Sequence, residues 1–114
     1  MTQHSGLSAE RWAEFDAPHQ LLMIANEMNR IRKLPDEDRT GRQRALARVL
    51  RLTDLTLDAT RRRGLRRELA RWRDLAAVLY LQDDADREGF LRAFRALLLL
   101  HPVTARQIPL LIGG

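Results

Sequence analysis

Eight arginines, Arg44, Arg48, Arg51, Arg62, Arg63, Arg66, Arg67 and Arg71, are the residues whose type and spacing point most directly to a task. A guanidinium stays charged at any cellular pH and offers a planar fork of N–H donors that matches two phosphate oxygens at once. All eight lie between Arg39 and Arg73, where twelve of the chain's nineteen arginines meet three acids, Asp54, Asp58 and Glu68. The flanks are weakly acidic, so the whole +5 of the chain arises in this middle segment. Charge gathered in one segment suits an acidic partner, and a nucleic-acid backbone is the commonest one for arginine. The bland alternative is a solvated helix face combined with the codon bias of a GC-rich genome, which would also explain nineteen Arg against one Lys.

Other chemistries have weaker footing. The chain lacks cysteine, and His4, His19 and His101 are scattered without metal-ligand spacing, so no metal and no cofactor are expected. No nucleophile and base stand close in pattern, and no glycine-rich phosphate cradle is present, which argues against most enzyme classes. Glu27 and Arg30, three apart on a helix, read as an i,i+3 ion pair. Two apolar features suit a partner chain instead: Leu55 on an otherwise charged helix face, and Ile108, Leu110, Leu111 and Ile112 near the C-terminus.

The elements that must position these residues are helical throughout. Strand-like alternation is absent and valine is scarce. At 114 residues the chain has room for one domain, and 45% apolar with 31% charged residues is a globular composition. No apolar run approaches the roughly 18 residues of a membrane span, and Met1 to Gly6 lacks the features of a signal peptide. A cytoplasmic protein with no membrane partner is the expectation.

Residues 1–15 read as a loose N-terminal segment with a short helical turn capped by Ser8, and residues 102–114 as an apolar C-terminal tail. Between them, residues 16–101 read as four helices. The first is capped by Asp16 and stopped at Leu34-Pro35; the second spans Arg42 to Thr60. Gly64 marks a turn before a third from about Leu65 to Leu81, with Leu65, Leu69, Trp72, Leu75, Ala76, Leu79 and Tyr80 on its core stripe. The fourth starts after Asp86, carries Phe90, Leu91, Phe94, Leu97 and Leu98 inward, and ends at Pro102. The fold expected is all-α, a single up-down-up-down four-helix bundle with short loops, assembling into a homo-oligomer.

Two family resemblances bear on function. The run Leu21 to Arg30 has the shape L-x-x-I-x-x-E-x-x-R, and is followed by Arg44-Ala45-Leu46, by Leu50 to Asp58 and by Gly64 to Asp74. This pattern, from about Phe15 to Leu98, resembles small four-helix-bundle proteins of bacteria. It is similar, more distantly, to Avd, the accessory protein of diversity-generating retroelements. That resemblance implies a non-catalytic, ring-forming homo-oligomer whose basic surface binds a reverse transcriptase and its template RNA. Because Asp36-Glu37-Asp38 is acidic where Avd proteins carry basic and aromatic residues, the implied nucleic-acid contact rests on arginines of the second and third helices alone. Separately, Arg95 and His101 fit the R-x(4–6)-H pattern of the HEPN ribonucleases, which implies metal-independent RNA cleavage.

Three readings follow. In the first, the eight arginines bind RNA or DNA phosphates; few aromatics lie near them, so salt sensitivity is expected and base stacking is not. In the second, the protein is a protein-only adaptor anchored by Leu55 or by the segment from Ile108 to Ile112. In the third, it is a HEPN-like nuclease using Arg95 and His101.

Overall fold

Helix boundaries in the computed structural model, which describes residues 8–113, follow the capping chemistry of the sequence closely. Helix α1 (Ala9–Ala13) starts where the Ser8 hydroxyl accepts the Arg11 amide. Helix α2 (Ala17–Arg32) is capped by Asp16 through the His19 amide, with Pro18 in its first turn. Asp38 caps α3 (Arg39–Ala59) through Gly41, and Asp86 caps α5 (Arg87–Leu98) through Gly89. Two short helices follow, α6 (Pro102–Ala105), capped by His101 Nδ1, and α7 (Ile108–Leu111). Helix α4 (Arg63–Leu81) differs: its cap residue is Arg62, and no side chain accepts its first amides. Among the described residues every regular element is helical, and no helix is long and apolar enough to cross a membrane.

The break between α3 and α4 lies at Thr60 to Arg62, and Gly64 belongs to the first turn of α4. Thr60 explains the shift from the expected turn at Gly64. Its hydroxyl donates to the Thr56 carbonyl at 2.6 Å, occupying an acceptor of the last turn of α3, and its backbone is extended.

The four long helices close a ring in which α2 packs on α3, α3 on α4, α4 on α5, and α5 returns to α2. Helix α1 lies on α3 and α6 on α2. Trp12, Leu21, Ile24, Met28, Leu46, Val49, Leu69, Trp72, Phe94, Leu97 and Leu98 form the centre of the core. Polar groups inside are matched. Trp72 donates its indole N–H to the Ala93 carbonyl at 2.7 Å, tying α4 to α5, and Trp12 donates to Thr56 Oγ1 at 2.8 Å, tying α1 to α3. The buried hydroxyls of Thr53 and Thr56 donate to the carbonyls four residues earlier, so burial costs them no unmet bond. A radius of gyration of 13.6 Å matches one domain of this length.

The short first helix and the C-terminal segment both join the core. Trp12 on the short first turn is fully buried, and the supposed tail buries Thr104 and Ile108. Residues 1–7, with His4 among them, lie outside the described residues. In contrast, Leu75 and Leu91, expected in the core, are 49% and 38% exposed. The inward face of α4 centres on Leu69, Trp72, Ala76 and Leu79, and Leu75 sits at the edge of that stripe.

Candidate nucleic-acid interface

The structure divides the eight candidate arginines by partner. Arg48 is half-buried and donates from Nε to Glu27 Oε1 at 3.1 Å, and Glu27 also meets Arg30 at 3.4 Å, so Arg48 ties α3 to α2. Arg66 donates to the Leu57 carbonyl at 3.2 Å across the α3–α4 turn. Arg71 pairs with Glu68 one turn earlier. The remaining five, Arg44, Arg51, Arg62, Arg63 and Arg67, are exposed and have no ion pair or side-chain hydrogen bond among the described residues.

Arg62, Arg63 and Arg67 stand together with Arg61, which is likewise exposed and unpaired, where α3 hands over to α4. Four unmatched guanidiniums within seven residues form a dense cationic surface. Arg44 and Arg51 lie back along α3, two turns apart. Arg73, in the same segment, is held by Asp54. Its hydrogen bond to Asp54 raises its pKa against a small opposing effect of burial, with the charges of Asp54 and Asp74 adding to the rise. A raised base stabilises the fold at every pH below its titration, so this contribution is constant over the cellular range.

The other predicted sites are dispersed. Leu55 is half-buried against the core, so the structure uses it for the chain's own packing. Ile108 is in the core, and Leu111 and Ile112 pack partly against it, which leaves Leu110, at 78% exposed, as the one open residue of that set. His101 lines a cleft with Arg62 and Arg67, and Arg95 belongs to α5. No group of three metal-ligating side chains occurs among the described residues.

A feature that sequence reading missed is a repeated Asp-Arg-x-Gly at the starts of α3 (Asp38-Arg39-Thr40-Gly41) and α5 (Asp86-Arg87-Glu88-Gly89). Each arginine reaches an acid in the other connection: Arg39 pairs with Asp83 at 2.5 Å and Arg87 with Asp36 at 2.9 Å. Arg42 adds bonds to the carbonyls of Asp36 and Asp83. The repeat itself was a visible signal, since matched caps with matched arginines mark two helix starts able to meet. Beneath this latch lies an apolar cleft of about 230 Å³ floored by Ile31, Leu46, Leu79, Phe90 and Ile112. On its rim Arg87 is paired with Asp36 and Arg42 is bonded to carbonyls, and Asp84 and Asp86 add acidic groups, so the rim carries charge of both signs.

Comparison with family models, with curated proteins and with solved structures finds no match for this chain.

Proposed function

We propose that this protein is a non-catalytic accessory protein that binds the phosphates of RNA or DNA through arginines of α3 and α4. The observation that carries the reading is the group Arg61, Arg62, Arg63 and Arg67, exposed and without an acid to neutralise it. Exposed like charges this close in sequence repel one another, and an anionic partner relieves that repulsion. Arg44 and Arg51 extend the same role along α3. Arg48, Arg66 and Arg71 contribute field more than direct contact, because each already has a bond.

In its fullest form the reading is that of an Avd-like antiparallel four-helix bundle that assembles with copies of itself and serves a reverse transcriptase and its template RNA. Leu75, Val78 and Leu81 on α4, at 49%, 55% and 75% exposed, are the apolar surface that supports self-association.

Light scattering after size exclusion, with and without a structured RNA at low and high salt, tests both parts. A discrete oligomer that binds RNA at 50 mM salt and loses roughly 100-fold in affinity by 200 mM is expected for about four phosphate contacts. A particle that ignores RNA at low salt removes the nucleic-acid reading. The protein-only adaptor then becomes the better account, with the exposed apolar residues of α4 and Leu110 as its contact surface.

A further inference from the structure

The α3–α4 end holds a cleft as well as a charged surface. About 310 Å³ of space lies between the first turns of α4 and the α5–α6 turn, walled by Arg62, Gly64, Leu65, Arg67, Leu100, His101 and Pro102, with Glu68 at its edge. That volume is at the lower bound of ligand-sized pockets. Its size is comparable to that of one nucleotide.

Apart from Glu68, the lining polar groups are donors. Arg62 and Arg67 are without partners among the described residues. His101 uses Nδ1 to accept the Val103 amide at 3.1 Å, which places the proton of the neutral ring on Nε2 and leaves that N–H free to donate. The turn that carries His101 is held in place, because the buried Thr104 hydroxyl donates to the carbonyls of both Leu98 and His101. Glu68, the one acid at the cleft, pairs with Arg71. Leu65, Leu100 and Pro102 supply apolar walls of the kind a sugar or base face can lie against.

We infer that this cleft binds the terminal phosphate of a nucleic-acid strand, with Arg62, Arg67 and His101 as its donors; the inference rests on the phosphate-binding reading above and sharpens it. A terminal phosphomonoester carries close to two negative charges and three free oxygens near neutral pH, whereas an internal phosphodiester has one charge and two. Two guanidiniums and one imidazole N–H match the former better.

The test compares one single-stranded oligonucleotide in three forms, with a 5′ phosphate, a 3′ phosphate or hydroxyls at both ends, by fluorescence anisotropy at fixed salt. The expected result is a preference of about tenfold or more for one phosphorylated form, the worth of a charge-assisted bond or two. The preference should vanish in His101→Asn, which can keep an acceptor for the Val103 amide, and in Arg62→Gln/Arg67→Gln. It should also vanish in Gly64→Trp, which adds bulk to the cleft wall without changing charge; a side chain begun at Gly64 meets nothing within 4 Å, so the fold tolerates it.

Equal affinity for all three forms overturns the cleft assignment and leaves the surface reading standing. If no form binds, the surface reading fails, and the cleft is judged by NMR shifts of the His101 ring with a nucleoside monophosphate and with inorganic phosphate. Saturable shifts with the nucleotide alone keep the cleft as a nucleotide-phosphate site. Shifts as strong with inorganic phosphate, or with neither, overturn it.

Discussion

Arginine does opposite work at the two ends of this molecule. Where the α2–α3 and α4–α5 connections meet, Arg39, Arg42 and Arg87 are consumed by Asp36, Asp83 and their carbonyls, and the result is a latch. At the far end of α3, which at 21 residues is about 30 Å long, Arg61, Arg62, Arg63 and Arg67 form no ion pair among the described residues. The caps follow the same division. Asp38 and Asp86 satisfy the first amides of α3 and α5, whereas α4 begins with an arginine that satisfies none. Net charge therefore teaches little about where this protein presents a cationic surface; the placement of acids decides it. An end that forgoes a cap and adds like charges gives up stability.

Charge exchange at the two ends is the strongest way to break the contrast. Arg62→Glu/Arg63→Glu/Arg67→Glu should lower RNA affinity by about 100-fold or more at low salt, while Arg39→Gln/Arg42→Gln/Arg87→Gln should leave it within about threefold, since Arg39 and Arg87 are already paired with acids and Arg42 is held by two carbonyls. Comparable losses in anisotropy titrations of both triple variants would mean that only overall charge matters. A smaller effect is expected from Thr104→Val, which removes the two hydroxyl bonds that pin the α5–α6 turn. Thermal or urea unfolding should show a loss of about 1–2 kcal/mol, with the phosphorylated-end preference weakened more than general RNA binding.

Arg62→Asp sharpens the comparison by giving α4 the cap its neighbours have. Stability should rise by about 1 kcal/mol as RNA affinity falls, and a variant that loses both would show that Arg62 serves the fold. The smallest effect belongs to the latch itself. Asp36→Asn/Asp83→Asn should cost about 0.5–1 kcal/mol in urea unfolding, because these pairs are exposed and screened. RNA affinity should be steady or slightly higher, as Arg39 and Arg87 are released.

The helical plan was legible because its signals are local. Asp16 and Asp86 mark helix starts, Leu34-Pro35 and Pro102 mark ends, and each acts within a few residues of itself. Trp72 could be assigned to the core from its place in the stripe. Trp12 could not, because a five-residue helix has no stripe to read and its burial depends on Thr56, 44 positions away. Leu75 and Leu91 show the reverse limit: periodicity identifies an apolar face without saying how much of it neighbouring helices will cover.

The site divides along the same line. By itself the sequence determined that the cation surplus falls between Arg39 and Arg73, because composition needs no fold. Which of those arginines are spent was decided only by tertiary structure. Arg48 meets Glu27, Arg73 meets Asp54 and Arg39 meets Asp83 across 21, 19 and 44 residues. Such pairings depend on which helix faces which. The cleft of Arg62, Arg67 and His101 is likewise a product of packing, since only the return of α5 alongside α4 brings its C-terminal turn to the first turn of α4.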